Sequence, residues 1–217
     1  MKYDKRAPVV KFCTAVFGFF FFVTCNAAVS DSAEHPWQTR IKKDGITVST
    51  RKVDGSPIIE YQADVIVDAS LAQVTALFED DLKTPLWYYQ CVKAESVEKI
   101  IPDKKISYVV LHLPFPVAER DAVFQTIRST DPASGVVTYI QTALPTRLPE
   151  HKGKIRVLYL NSIWRFAPQA DGRTEMYFRQ HSNPGGSIPV FLVNKLSVEI
   201  PFYSLKNFRK LVLKTKE

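Results

Sequence analysis

The sequence predicts an α+β domain: a long, curved antiparallel sheet wrapped around a long C-terminal helix, with an apolar cavity between the two. Three observations carry this. From Val92 to Ser182, apolar and polar residues alternate in runs of roughly ten, cut by turn residues, as in an antiparallel meander. Ahead of them, "ITVSTRKV" and "IIEYQADVIV" flank the turn "DGSP" and form a hairpin. Behind them, apolar residues recur at helical spacing from Ile188 to about Lys214, a helix of about 38 Å at 1.5 Å per residue. A sheet that long must curl and cover one face, and a helix across it supplies the cover.

Taken in order, residues 1–27 come first. A basic start (Lys2, Lys5, Arg6, Lys11) is followed by the uncharged "FCTAVFGFFFFV" and then by small residues, the plan of a secretory signal peptide. Its apolar core, roughly 18 Å as a helix, is short for a hydrocarbon layer of about 30 Å. The chain is therefore expected to be exported, to the periplasm in a Gram-negative host, with one folded domain at 34–214. Lipidation at Cys25 and an uncleaved anchor are the other fates of this segment.

Within the domain, "HPWQTRIKKDG" reads as a short amphipathic helix closed by Gly45, before the hairpin. "DASLAQVTALFEDDL" reads as a helix capped by Asp68 or Ser70, with Leu71, Val74, Leu77 and Phe78 on one face. "KTPLWYYQC" is an aromatic connection into six strands: "VKAESVEKII", "KISYVVLHL", "DAVFQTIRS", "GVVTYIQTAL", "IRVLYLNSIWRF" and "TEMYFRQHS". The last helix is expected to start on Ser187 as N-cap, with Pro189 in its first turn. Pro201 inside it implies either a kink or a helix that ends at Ile200 and restarts.

Charge is uneven. Between Ala28 and Asn194, 19 Lys and Arg balance 19 Asp and Glu, whereas Lys195 to Glu217 carries six cations against two anions. Such cations complement the helix dipole or offer a patch to anionic lipid. The field is too modest for nucleic acid in an exported chain. Beyond the signal segment Cys91 is alone, which excludes an internal disulfide and suits a packed apolar thiol.

Three stretches then carry a resemblance: "LPFPVAERDAVF", "SIWRFAPQADGRTEMYF" and "GGSIPVFLVN" running into the final helix. In this order they are similar to the START (StAR-related lipid transfer) domain family of the helix-grip superfamily, over roughly Trp37 to Lys210. The resemblance implies one lipid or sterol in an internal cavity, carried between membranes by a monomer without a cofactor, with the C-terminal helix as lid and transient membrane contact. Carried onto this chain, it makes Gly185 and Gly186 the lid's hinge, the alternative being a plain tight turn. It makes Phe191, Leu192, Lys195, Val198 and Phe202 the lid's inner or rim face.

Aromatic residues in the strands and in the connection are wall candidates: Trp87, Tyr88, Tyr108, Phe124, Tyr139, Tyr159, Trp164 and Tyr177. Arg120 and Asp121 are neighbours on a strand and cannot both face inward. Arg120 either holds a polar headgroup or makes a structural ion pair. Arg156 and Glu119 are weaker candidates of the same kind. No metal-spaced histidine pair, G-x-S-x-G, P-loop or dinucleotide fingerprint occurs. The competing expectation is a cyclase- or hydrolase-like enzyme using His112 with cavity tyrosines.

Overall fold

A computed structural model describes residues 35–101 and 103–214. The segment expected to be a signal peptide, 1–27, lies outside the described residues, as do the last three. Ten strands form one sheet: β1 (Gln38–Lys43), β2 (Ile46–Val53), β3 (Ser56–Val67), β4 (Cys91–Ile101), β5 (Lys104–Leu111), β6 (Glu119–Thr130), β7 (Val137–Ala143), β8 (Lys154–Arg156), β9 (Tyr159–Pro168) and β10 (Thr174–Asn183). Their order is β1-β2-β3-β10-β9-β7-β6-β5-β4, and every neighbouring pair in it is antiparallel. The first hairpin thus joins the meander by pairing β3 with its last strand, β10. Among the described residues three α-helices accompany the sheet, α1 (Leu71–Glu79), α2 (Thr84–Trp87) and α3 (Val190–Lys214), with a single 3-10 turn at Asp81–Lys83 before α2. This is the expected helix-grip α+β architecture.

The cap of α1 is Ser70. Its hydroxyl accepts from Gln73 N and the Gln73 side chain accepts from Ser70 N, a reciprocal box that satisfies two otherwise orphan donors. Val74, Leu77 and Phe78 turn inward. They meet Trp87, Trp164, Phe166, Phe178, Phe202, Leu205 and Phe208 in the main core. Leu205 and Phe208 are fully buried, and each contributes about 1.5–3 kcal/mol by leaving water. The same half of α3 is anchored at its surface: Lys206 Nζ sits 2.9 Å from Asp44 Oδ2, and Arg209 donates to the Asp44 carbonyl at 2.7 Å. Two of the terminal cations are therefore used to hold the β1–β2 turn.

Three expectations are corrected. "HPWQTRIKKDG" contains the strand β1, mostly exposed and paired with β2 from Gln38↔Thr50 to Lys43↔Ile46. Pairing with the edge of β2 satisfies its backbone, and tertiary context overrides the helical pattern. "IRVLYLNSIWRF" is two strands: β8 lies parallel to β6, and the chain breaks at Val157–Leu158 before β9 begins. Finally, α3 begins at Val190. The Pro189 carbonyl accepts from Leu192 N and Val193 N, so Pro189 occupies the cap position expected of Ser187. The helix then continues unbroken through Pro201, so it does not end at Ile200 and restart.

Candidate functional site: a roofed apolar cavity

Between the inner face of the sheet and the first half of α3 lies a cavity of about 130 Å³. Register determines which side chains reach it. On β5 the odd positions Lys105, Val109 and Leu111 face in; on β6 the even positions Arg120, Ala122 and Phe124 do. Leu160 and Trp164 come from β9, Gln141 from β7, Gln180 and Ser182 from β10, and Ile59 and Tyr61 from β3. The roof is Ile188, Val193, Leu196, Ser197 and Ile200. Trp87, Tyr88 and Cys91 close the side nearest α2. Beyond Ile200, α3 packs solidly on the core, so roof and anchor are separate halves of one helix.

Of the expected wall residues, Trp87, Tyr88, Arg120, Phe124 and Trp164 line this cavity. The others lie elsewhere. Tyr108 is on the outer face of β5, its ring 5.0 Å from that of His151 and tilted to it by 40°, and is covered by the segment carrying Leu144 and Leu148. Tyr139 faces in but sits under α1, where its hydroxyl donates to Glu79. Tyr177 faces out and donates to Gln62 at 3.1 Å, and Tyr159 is half exposed beside His181. On α3, Phe191 is 75% exposed, Lys195 pairs at the surface with Glu199, Leu192 lies outside the lining, and Val198 and Phe202 belong to the main core. The inward stripe of the roof starts at Val193 rather than Phe191, a rotation of about 200° about the helix axis at 100° per residue.

Gly185 and Gly186 both adopt positive φ, 67° and 64°. A Cβ on Gly186 would stand 2.8 Å from Ile155 Cδ1 and 3.2 Å from Arg120 Nη2. Close approach and left-handed backbone both require glycine here. Arg120, 1% exposed, binds this connector: it donates to the carbonyls of Ala118, Pro184 and Gly185. Among the described residues no carboxylate pairs with it, and burial lowers its pKa. Asp121 turns the other way, to Arg156. The β5–β6 loop and the β10–α3 connector are thus held together by one guanidinium.

Two further features escaped the sequence reading. Cys91 lines the cavity, and burial pushes its thiol up to about 12. A row of polar side chains crosses the inner face of the sheet, one per strand: Tyr61, Gln180, Ser162, Gln141, Thr126 and Lys105, each directly opposite the next, and all but Ser162 and Thr126 line the cavity. Ser162 donates to Gln141 at 2.8 Å, and Lys105 ends the row in an ion pair with Asp81 at 2.7 Å. His112 is on the exposed side of the β5–β6 connection, 3.6 Å from Glu119, and outside the cavity lining. The pairing of His112 with cavity tyrosines is therefore not formed. Among the described residues, no three His, Cys, Asp or Glu side chains are grouped to hold a metal ion.

A curved sheet gripping a helix over an apolar cavity defines a class of small-molecule-binding α+β domains. Within it, the START domain family matches residues 27–217, and the chain belongs to that family. An uncharacterized protein of Pseudomonas aeruginosa is 33% identical over 195 residues, covering 90% of this chain and 91% of its own length. The phosphatidylcholine transfer protein of Rattus norvegicus is 28% identical over 164 residues, covering 73% of this chain and 75% of its own. A crystallised fragment of a STAR-related lipid transfer protein from Xanthomonas axonopodis superposes with a TM-score of 0.76 at 29% identity, covering 82% of this chain and 98% of the fragment.

Proposed function

We propose that this protein binds one lipid, or a comparably apolar molecule, in the cavity and carries or presents it between membranes without turning it over. The observation that carries this is a cavity with mainly apolar walls, roofed by a helix half that is packed less deeply than its anchored other half. Membership of a family with lipid transfer proteins among its relatives supports the same conclusion. A cavity of about 130 Å³ approaches the engineered one of about 150 Å³ that accepts benzene. A lipid with full acyl chains therefore enters only as Val193, Leu196 and Ile200 withdraw.

The opening side is the connector end. Phe115 is 97% exposed in the β5–β6 loop, Leu158 is 65% exposed beside β9, and Phe191 is exposed in the first turn of α3. All three lie on segments that Arg120, the β6–β8 pairing and the Gly185–Gly186 turn bring to the same end of the sheet. Exposed apolar side chains around a cavity entrance fit a bilayer surface. On that surface the connector would swing at its glycines, with Pro201 marking where the roof half meets the anchored half.

The test is transfer of a fluorescent phospholipid from donor to acceptor vesicles by purified protein. Transfer proportional to protein concentration supports the proposal; no transfer and no binding would remove it. Export remains part of the proposal and is checked separately, by locating the mature N-terminus in a cell fraction.

A further inference from the structure

The outer face of the sheet is covered next to the connector. The β7–β8 segment, 144–153, lies across it, and Leu144 and Leu148 pack on Ile106, Tyr108, Val110 and Val123. Antiparallel sheets commonly leave one face to water, so a cover here calls for a reason. Polar contacts fasten it along its length. Arg147 pairs with Glu98 on β4, His151 Nδ1 lies 3.2 Å from Asp121 Oδ2, and Lys154 at the start of β8 pairs with Glu119 on β6. The carbonyls of Pro145, Leu148 and Pro149 converge on the Arg156 guanidinium.

Cover and connector meet at β8, on opposite faces of it. Among the described residues β8 pairs with β6 alone, with Ile155 opposite Arg120 and Arg156 opposite Asp121. Successive strand residues alternate in direction, so the two pairs face opposite ways. Arg120 and Ile155 face the connector: Arg120 donates to the Pro184 and Gly185 carbonyls, and a Cβ on Gly186 would stand 2.8 Å from Ile155 Cδ1. Asp121 and Arg156 face the cover, joined to each other and to its carbonyls. The Arg156 carbonyl in turn lies 3.3 Å from where a Cβ on Gly185 would stand. A strand of three residues with one neighbour has few ladder bonds, so these side chains set how readily it comes away.

Opening as proposed above takes the connector away from Ile155 and Arg120, and so strips β8 of its inner contacts. Resting on that opening, we infer that segment 144–153 is an outer latch on the cavity: cover, β8 and connector form one cooperative unit, and the closed roof is stabilised from the opposite face of the sheet. The coupling is reciprocal. A docked cover holds the connector closed, and a ligand that keeps the roof shut holds the cover down. Arg147 and His151 are half exposed, so the latch is open to control from the protein surface without any contact to the cavity.

The experiment is amide hydrogen exchange of the purified, ligand-free protein, which reads opening without a lipid probe. The Val157 amide donates to the Asp121 carbonyl, that of Gly185 to Asn183 Oδ1 and that of Val193 to the Pro189 carbonyl, so the three report the end of β8, the connector and the roof. Leu148→Ala removes an apolar contact of the cover and should speed exchange at all three together, by about tenfold. Arg147→Ala leaves the apolar cluster in place and should do the same by up to about fivefold, which keeps the test alive should Leu148→Ala fail to fold. Val67→Ala, buried at the other end of β3, controls for general destabilisation and should leave the three amides unchanged. Faster exchange confined to Val157, with Gly185 and Val193 unmoved, overturns the inference and leaves lipid binding standing. Equal acceleration by Val67→Ala also overturns it, because the response is then global. Coupled exchange in a protein that neither binds nor transfers phospholipid supports the latch and removes the proposed function.

Discussion

Asp121 and Arg156 form a two-point ion pair, Nε to Oδ1 at 2.9 Å and Nη2 to Oδ2 at 3.1 Å, with side chains only 1% and 2% exposed. The pair joins β6 to β8, and Arg156 also donates to the carbonyls of Pro145, Leu148 and Pro149, which shapes the segment covering Tyr108. Removing one partner leaves a buried charge alone, so Asp121→Asn should cost about 3–5 kcal/mol in urea unfolding. Burial raises the Asp121 pKa, but hydrogen bonds and charge from Arg156 outweigh it, aided by His151 and Tyr108, and the net shift is downward. A depressed carboxylate stabilises above its unfolded pKa, about 3.9, and that share is lost as pH falls through the folded value. Wild-type stability should therefore drop below about pH 4 more steeply than that of Asp121→Asn.

Gly186 and Gly153 both hold positive φ, 64° and 82°, but only Gly186 is crowded, by Ile155 and Arg120. Alanine at either pays for left-handed backbone, about 1–2 kcal/mol. Gly186→Ala should cost more than Gly153→Ala in denaturant unfolding, and Ile155→Val should recover part of the difference. Equal costs would show that the close approach is unimportant.

Asn194 ties the roof to the sheet: its Oδ1 accepts from Ile59 N at 3.3 Å. This bond exists only while the roof is closed over β3. Asn194→Ala, removing about 1 kcal/mol, should raise the ligand off-rate about fivefold. Stopped-flow release of a bound fluorescent lipid measures it, and an unchanged rate would argue against opening at this half of α3.

Cys91 should be inert in the folded protein. With a thiol pKa of about 12, roughly one part in ten thousand is thiolate at pH 8, and the side chain is buried as well. Mass analysis of the peptide carrying Cys91 should find no iodoacetamide adduct under native conditions and full modification in guanidinium. Rapid native labelling would mean that the cavity opens to water on its own.

Much of the fold was legible because strand alternation and helix caps are local signals: the hairpin, α1 with Ser70, and most of the meander. What failed was non-local. The edge strand β1 exists because β2 offers it a partner, and β8 departs from β9 because β6 lies beside it. The site was harder. Alternation separates two faces without saying which is inner, and here the outer face is partly covered too, so Tyr108 is as buried as Trp87. Choosing aromatics also hid the polar row. Its local signal is a polar residue inside an apolar face, as in Tyr139-x-Gln141 and Phe178-x-Gln180, but only cross-strand register shows that these form a line.

The central claim is that the cavity holds one lipid, and the most direct measurement is native mass spectrometry of protein purified gently from its own compartment, followed by extraction of whatever is bound. One copurifying lipid per chain, released on denaturation, is the predicted result. A ligand-free protein that also takes up nothing from a panel of fluorescent lipids would contradict the account.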